Sequence, residues 1–339
     1  MHMADALVSA AVGGTMYVAS ASAAAYSLKK IKKEDNPKAI PVMGVMGAFV
    51  FATQMINFTI PGTGSSGHLC GGMLLSAILG PYAGFITMIG VLLVQGLLFA
   101  DGGLLALGCN VWNMAFYGCF IGSMLIWAPV MRCKTNKIRI TLAAIVGCVI
   151  TLQLGAFSVV LETVASQVTE LPFEAFVITM QPIHLAIGLV EGLITAAVLC
   201  FIYEARPQML WNTAVSSEEN NKTELKTMLF ILLVSALAIG GGLSYIASSN
   251  PDGLEWSIEK VTGNTEITAN DAAHDMAGQL QEKTAVLPDY DFAKGDSVAG
   301  NGFSGITGAV VILTIAMGSG YIYKKRRKLK PDITNEQTE

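Results

Sequence analysis

The sequence predicts an all-α membrane protein with several membrane spans. Of its 339 residues, 53% are hydrophobic and 14% are charged, whereas a soluble domain usually carries about 25% charged residues. Apolar runs of about 18 residues or more recur along the chain, which is enough to cross a hydrocarbon core of roughly 30 Å. The positive mean hydropathy of +0.54 is also typical of a membrane protein. This composition favours a polytopic helical bundle and gives no indication of nucleic-acid binding.

Seven spans are predicted in the first block of the chain, and two more follow a polar linker. The first seven lie at about 6–28, 39–60, 68–80, 82–100, 105–131, 140–164 and 183–204. The third span is short and ends at Gly80-Pro81, because proline favours a helix start or stop. The last two spans, 227–248 and 303–323, enclose a polar stretch at 249–302.

The distribution of basic residues predicts the orientation of these spans. With the N-terminus outside, the inner segments 29–38, 132–139, 205–226 and the tail after 323 hold 18 of the 21 Lys and Arg residues. This agrees with the positive-inside rule. Merging the third and fourth spans would place the basic run 132–139 outside, so the pattern supports a separate short helix. We therefore expect an extracytoplasmic N-terminus and a cytoplasmic C-terminus in the cell membrane.

A change of composition near residue 205 divides the chain into parts. Residues 1–204 form a compact bundle with short loops, 205–226 form a polar cytoplasmic linker, and 227–339 form a second module of two spans. The loop of that module carries ten Asp or Glu residues against three Lys. The two halves show no repeat, so the sequence does not support an inverted-repeat transporter.

The two ends of the first predicted span carry opposite charges. Asp5 precedes the apolar core and the basic run 29–33 follows it, which is the reverse of a cleaved signal peptide. We also expect Met1 to be retained, since its removal requires a small second residue and His2 is large. The six cysteines lie in or beside apolar stretches without a CxxC pair, which predicts buried thiols and no disulfide.

The opening MHMADALVS contains a candidate metal chelator. The Met1 α-amine and the His2 amide nitrogen close a five-membered ring with a metal, and the amide nitrogen and Nδ1 of His2 close a six-membered ring. Three nitrogens in one plane suit square-planar Ni(II) or Cu(II) rather than tetrahedral Zn(II). His68, in a glycine-rich loop on the same outer face, could supply the fourth. The alternatives are that His2 is an accident of an exposed terminus and His68 an ordinary polar loop residue.

Four further polar residues are weaker candidates. His184 and Glu191 are two helical turns apart on one face of the seventh span, and ionisable groups inside a membrane are often functional. They could instead form a hydrogen-bonded pair between packed helices. Asp101 could belong to the metal site or could only form a turn. Asn110 and Asn113 could form hydrogen bonds between helices.

Small residues in the first span form a ridge. Ala19 and Ala23 are four residues apart, as are Ala21 and Ala25. Such ridges allow close contact between helices. The ridge could pack within the bundle or dock a partner subunit.

Several motifs together resemble one known family. MHMADALVS, NFTIPGTGSSGHLCGG (57–72), DGGLLALGCNVWNM (101–114) and PIHLAIGLVEGLITAA (182–197) resemble the CbiM/NikM family. These are the substrate-capturing components of energy-coupling-factor (ECF) transporters for cobalt or nickel. PDGLEWSIEK (251–260) resembles the accessory component of the same systems, so the chain resembles a fusion of the two.

The resemblance implies a function and a ligand set. A Ni²⁺ or Co²⁺ ion would be held by the Met1 amine, the His2 amide nitrogen and imidazole, and His68. No permanent cofactor is implied. Transport would be driven by separate ATPase subunits, since this chain has no GxxxxGK[ST] loop. A coupling transmembrane subunit would dock on the face of Ala19 and Ala23. The opening MHMAD departs from the MHI followed by an acidic turn of many relatives, which leaves nickel and cobalt both open.

Three alternatives belong to other classes. An accessory or assembly protein of cobalamin or nickel-enzyme pathways would use mainly the second module. An ECF component for a small vitamin would need an enclosed aromatic pocket rather than a terminal histidine. A membrane enzyme finds little support, because the sequence has no HExxH motif and no convincing serine nucleophile motif.

Overall fold

The computed structural model describes residues 1–34, 36, 39–214, 222–265, 267–269, 271–292 and 298–328. Within these ranges the chain is almost entirely helical, with one hairpin of two short strands. The elements are α1 (Ala10–Glu34), α2 (Ala39–Gln54), β1 (Phe58–Ile60), β2 (Ser65–Gly67), α3 (Gly72–Leu98), α4 (Leu107–Cys133), α5 (Lys137–Ser166), α6 (Phe173–Ala205), α7 (Leu225–Gly241), α8 (Gly253–Thr262), α9 (Ala272–Thr284) and α10 (Val298–Lys328).

The length and hydropathy of these helices confirm the predicted class. Helices α3, α4, α5 and α6 and the segment Gly300–Ile322 of α10 are long and apolar enough to cross a membrane. Helices α2 and α7 are shorter apolar helices. All six cysteines are free thiols. The chain is therefore a multi-pass, all-α membrane protein.

Helix α3 reverses its direction at Gly80. This glycine has φ 78° and ψ 170°, a backbone conformation that a residue with a side chain rarely adopts, and Pro81 follows it. A Cβ on Gly84 would lie 3.0 Å from the Cα of Ser76, although eight residues of a straight helix span about 12 Å. The two arms therefore lie side by side, with the break at the predicted position.

Four predicted boundaries are wrong by six residues or more. The first span was expected to end at residue 28, but α1 continues to Glu34. The second span was expected to reach residue 60, but α2 ends at Gln54 and the chain turns into the antiparallel hairpin β1–β2. Gly62 and Gly64 have φ near +77° in its turn, which Pro61 and two glycines make accessible. The eighth span ends at Gly241 rather than residue 248.

The fourth error concerns the seventh span, which begins ten residues earlier than predicted. Helix α6 starts at Phe173 and carries Pro182 in its interior. A membrane helix can tolerate an internal proline when neighbouring groups satisfy the freed carbonyl. The stretch 249–302, expected as a polar loop, contains the helices α8 and α9.

The C-terminal module packs on one side of the bundle. Helices α7 and α10 both lie against α2, and they contact each other. Gly240 and Gly305 meet backbone to backbone, since a Cβ on Gly305 would come within 2.3 Å of the Gly240 carbonyl oxygen. Part of the predicted linker (215–221), Lys294 and the tail 329–339 lie outside the described residues.

The N-terminal segment lies inside the bundle rather than on its surface. Met1 is 4% exposed and Met3 is completely buried, as is Val8. A short 3₁₀ turn, Asp5–Leu7, leads from this segment into α1. The first residues are therefore placed among the loops that join the spanning helices.

Candidate metal centre

Asn110 fixes the backbone of the N-terminal segment. Its Oδ1 accepts a hydrogen bond from the Met3 amide at 2.7 Å, and its Nδ2 donates to the Met3 carbonyl at 3.1 Å. The Gly103 amide also donates to that carbonyl, at 2.9 Å. Asn110 thus holds the terminus, whereas Asn113 joins helices by donating to Glu162 at 2.6 Å.

The Met1 amine lies between a histidine and a carboxylate. Its nitrogen is 3.1 Å from Nε2 of His68 and 2.5 Å from Oδ2 of Asp252. The same carboxylate oxygen lies 3.9 Å from Nε2 of His68. Three groups that are distant in the sequence therefore meet at one point.

A backbone hydrogen bond holds Nδ1 of His68 and leaves Nε2 facing the Met1 amine. Its Nδ1 lies 3.0 Å from the Leu69 carbonyl, which can only accept, so Nδ1 carries the proton and Nε2 keeps its lone pair. Metal-binding histidines are oriented in this way. Burial, with repulsion from the Met1 ammonium and His2, lowers the pKa of His68 to about 3. The imidazole is therefore neutral at physiological pH.

Glu191 orders the loop that carries His68. Its two carboxylate oxygens accept hydrogen bonds from the Cys70 and Gly71 amides at 3.0 and 2.9 Å. Glu191 is 2% exposed and reaches these amides from α6. The structure does not show the hydrogen-bonded pair of Glu191 and His184 that was the alternative to a functional role, because His184 bonds instead to the Met180 carbonyl.

His2 stacks on His68 and is engaged by two further side chains. The ring centroids are 5.1 Å apart with an interplanar angle of 19°. Nδ1 of His2 lies 3.1 Å from Oδ1 of Asp101, and Nε2 lies 3.3 Å from Oε1 of Gln95. Tyr290 donates to the other oxygen of Asp101. Burial lowers the pKa of His2, and its Nδ1 faces Asp101 rather than the Met1 amine.

Two opposed effects set the charge of the amine. Burial is the largest single effect and lowers the pKa of the Met1 amine, but attraction to Asp252, Cys70 and Asp101 together outweighs it, and the pKa is raised. Burial likewise raises the pKa of Asp252, but the Met1 ammonium, His68 and the Glu255 amide together outweigh it and leave this pKa well below its usual range. The two groups form a buried ion pair.

Asp252 belongs to the PDGLE motif, and sequence reasoning did not assign it to the site. It caps α8 by accepting from the Leu254 and Glu255 amides at 2.8 and 2.9 Å through Oδ1, which leaves Oδ2 for Met1. The Ser66 amide donates to the Pro251 carbonyl at 2.8 Å, which attaches the motif to strand β2. The PDGLE motif was the signal available, but its partner lies about 250 residues away.

A second contact attaches the C-terminal module to the N-terminal segment. Nε2 of His274, on α9, lies 2.9 Å from the Asp5 carbonyl and 3.1 Å from the Val8 carbonyl. Gln281, on the same helix, donates to the Gly102 carbonyl at 2.8 Å. The acidic module therefore covers the candidate centre.

Two cavities adjoin the centre. An outer polar depression of about 540 Å³ opens onto His2 and His68, and its wall includes Asp101, Asp252 and Glu255. A much smaller cavity of about 10 Å³ lies on the inner side and is lined by Met1, His68, Cys70, Leu152, His184, Asp252 and other residues. The outer depression offers a cation an acidic entrance that ends at the two histidines.

The donor set limits what this centre can hold. No group of three or more His, Cys, Asp or Glu side chains that could hold a metal occurs in the described part of the chain. A metal here would need nitrogen donors of the N-terminus besides the histidines. The structure brings the Met1 amine, His2, His68 and Asp101 together, and Asn110 and Glu191 hold the backbone around them.

Comparison with known proteins identifies the family. Residues 2–209 match the family described as the cobalt uptake substrate-specific transmembrane region, CbiM. The chain belongs to the CbiM family. Residues 226–325 match the PDGLE domain, so this CbiM protein carries a fused PDGLE domain, as the sequence motifs predicted.

Two fused relatives resemble this CbiM protein over nearly its full length. A putative fused nickel transport protein NikMN of Archaeoglobus fulgidus is 31% identical over 318 residues, covering 93% of this chain and 96% of the relative. A probable fused nickel transport protein LarMN of Lactiplantibacillus plantarum is 27% identical over 330 residues, covering 94% and 97%.

A solved structure resembles a large part of the chain. The crystal structure of a truncated transition metal transporter is 30% identical, with a TM-score of 0.53, and covers 60% of this chain and 99% of that chain. The protein is thus a metal-transport component of the CbiM type.

Proposed function

We propose that the chain is the substrate-capture component of an ATP-driven ECF transporter that takes up Ni²⁺ or Co²⁺. The ion is bound by four nitrogens: the Met1 amine, the His2 amide, Nδ1 of His2 and Nε2 of His68. The single observation that carries this proposal is the 3.1 Å approach of the Met1 amine to Nε2 of His68. These two donors are 67 residues apart, and the relatives named for nickel transport support the choice of ion.

Formation of the chelate requires two exchanges of partners. Nδ1 of His2 must leave Asp101 and turn toward the metal, and the Met1 amine must leave Asp252. The chelate forms as one proton leaves the ammonium and one leaves the His2 amide. A divalent ion bound to one amidate has a net charge of +1, which equals that of the ammonium it displaces. Asp252 can therefore neutralise the centre in both states.

The proposed transport cycle depends on the orientation of the chain in the membrane and on separate partner subunits. We place the N-terminus outside and the C-terminus in the cytoplasm, on the basis of the Lys and Arg distribution. Separate ATPase subunits and a coupling transmembrane subunit supply the energy. On α1, Ala19 and Ala23 are half-buried, whereas Ala21 and Ala25 are exposed. The coupling subunit therefore docks on the accessible part of the Ala19 and Ala23 face, next to the exposed Ala21 and Ala25.

Isothermal titration of the purified full-length chain with Ni²⁺ and Co²⁺ tests this function. We expect tight one-to-one binding that is lost on His68→Ala, because the fourth nitrogen is removed. Thr179→Ala is the control, because the Thr179 hydroxyl bonds to the Ala175 and Phe176 carbonyls of its own helix, α6. An accessory protein would bind neither ion tightly, and such a result would refute the assignment.

A further inference from the structure

His184 carries a buried nitrogen that the four-nitrogen chelate does not use. This residue of α6 is 1% exposed, and its Nε2 has no hydrogen-bond partner among the described residues. Its Nδ1 lies 2.8 Å from the Met180 carbonyl, which can only accept a hydrogen bond. Nδ1 therefore carries the proton, and Nε2 keeps a free lone pair. Because an unsatisfied polar atom inside a membrane bundle is costly, it points to a ligand.

This nitrogen borders the small cavity on the inner side of the metal centre. The cavity of about 10 Å³ has Met1 and His68 on one side and His184 on another. Gly253 of the PDGLE motif forms a further wall, and a Cβ there would lie 3.3 Å from Nε2 of His184. His184 is therefore separated from the outer nitrogens by space for about one water-sized particle.

Polar groups continue from this cavity toward the interior of the bundle. A second cavity of about 10 Å³ shares Cys70 and Leu152 with the first and is also lined by Thr151, Asn113 and Glu191. Asn113 leads on to Glu162, and the remaining oxygens of both side chains, Oδ1 and Oε1, lack partners in the described structure. Such a series of buried polar groups is typical of an ion pathway through a membrane protein.

We propose that His184 is an inner metal ligand, which takes up the ion as it leaves the outer nitrogens and moves into the bundle. One metal–nitrogen bond to Nε2 of His184 forms while the bond to Nε2 of His68 breaks, and this exchange needs no proton because both imidazoles are neutral with their proton on Nδ1. Release from the remaining outer nitrogens breaks the bonds to the Met1 amine, the His2 amide and Nδ1 of His2, and water returns one proton to the amine and one to the amide. Imidazole nitrogen suits first-row divalent ions such as Ni²⁺ and Co²⁺. This role depends on the function proposed above and adds a residue to the pathway.

The first experiment compares binding with uptake for His184→Gln. Equilibrium binding of Ni²⁺ to the purified chain is expected to stay within about threefold of wild type, because the outer nitrogens are intact. Accumulation of Ni²⁺ in cells that express the full transporter is expected to fall by at least about tenfold, as for other changes near a metal site. Ile187→Val is the matched control, because Ile187 lines the same cavity without a metal donor.

The second experiment removes the outer histidine first. His68→Ala is expected to bind Ni²⁺ only weakly, and when it is loaded with excess Ni²⁺, X-ray absorption is expected to show two imidazoles, one from His2 and one from His184. The double variant with His184→Gln should show only the His2 imidazole. Normal uptake by His184→Gln, or identical spectra of the single and double variants, would overturn the inner ligand. Absence of tight binding in the wild type would instead refute the proposed function.

Discussion

The carboxylate of Asp252 lies 2.5 Å from the α-amine of Met1, so the PDGLE motif contacts the first residue of the chain. Both side chains are largely shielded, with Met1 3% and Asp252 16% exposed. The fused module is thus part of the candidate metal centre rather than a separate attachment.

Replacing Asp252 tests the ion pair separately from the helix cap. Asp252→Ser keeps an N-cap oxygen for α8 but leaves the Met1 ammonium buried without its counter-charge. Breaking one side of a buried pair costs about 3 kcal/mol, so we expect a clearly lower melting temperature in the absence of metal. Glu255→Gln is the control, because Glu255 accepts from the Asp252 amide at 3.0 Å but makes no bond to Met1. Equal melting temperatures of the two variants would mean that the ion pair with Met1 does not contribute to stability.

Inserting one alanine between Met1 and His2 enlarges the first chelate ring. We expect the affinity for Ni²⁺ to fall by more than the 10–100-fold that changes around a metal's ligands usually cause. The measurement is isothermal titration of the purified chain. An alanine inserted after Thr63, in the turn of the hairpin, adds the same length without altering the rings. If the N-terminal insertion leaves the affinity unchanged, the amine and amide are not ligands.

Metal binding should release protons and strengthen as the pH rises. The pKa of the Met1 amine is raised, so the amine is protonated throughout the neutral range and must lose a proton to bind the ion. The His2 amide loses a second proton. Below the pKa of the amine, the apparent affinity should therefore rise by about 100-fold per pH unit, the slope for two protons. Titrations in buffers of different ionisation enthalpy count the protons directly, and a count of zero would exclude this chelate.

Gly103 should be intolerant of a side chain because the N-terminal segment lies against it. A Cβ there would come within 2.4 Å of the Asp5 amide nitrogen, so the backbone of the segment would have to move. We expect Gly103→Ala to weaken Ni²⁺ binding by at least about tenfold. Gly90→Ala, where nothing lies within 4 Å, should bind normally. Equal affinities would show that the segment adjusts without displacing its ligands.

Local sequence signals identified the helices and the candidate ligands. The apolar runs predicted the spans, and Gly80-Pro81 predicted the reversal within α3, because each depends on neighbouring residues. The boundaries near residues 54 and 173 were wrong, because the hairpin β1–β2 and the proline inside α6 both depend on what packs around them. The hairpin packs closely on α6, since a Cβ on Gly67 would lie 2.5 Å from Ile187.

The sequence by itself determined that this is a multi-pass helical protein with histidines at positions 2 and 68 as candidate ligands. These conclusions follow from periodicity, composition and the ring sizes available to an N-terminal histidine. Only the tertiary structure decided that Asp252 pairs with Met1, that Glu191 holds the loop after His68, and that Nε2 of His184 is free. Each of these contacts joins residues more than a hundred positions apart or depends on the packing of several helices, and no local pattern encodes such a meeting.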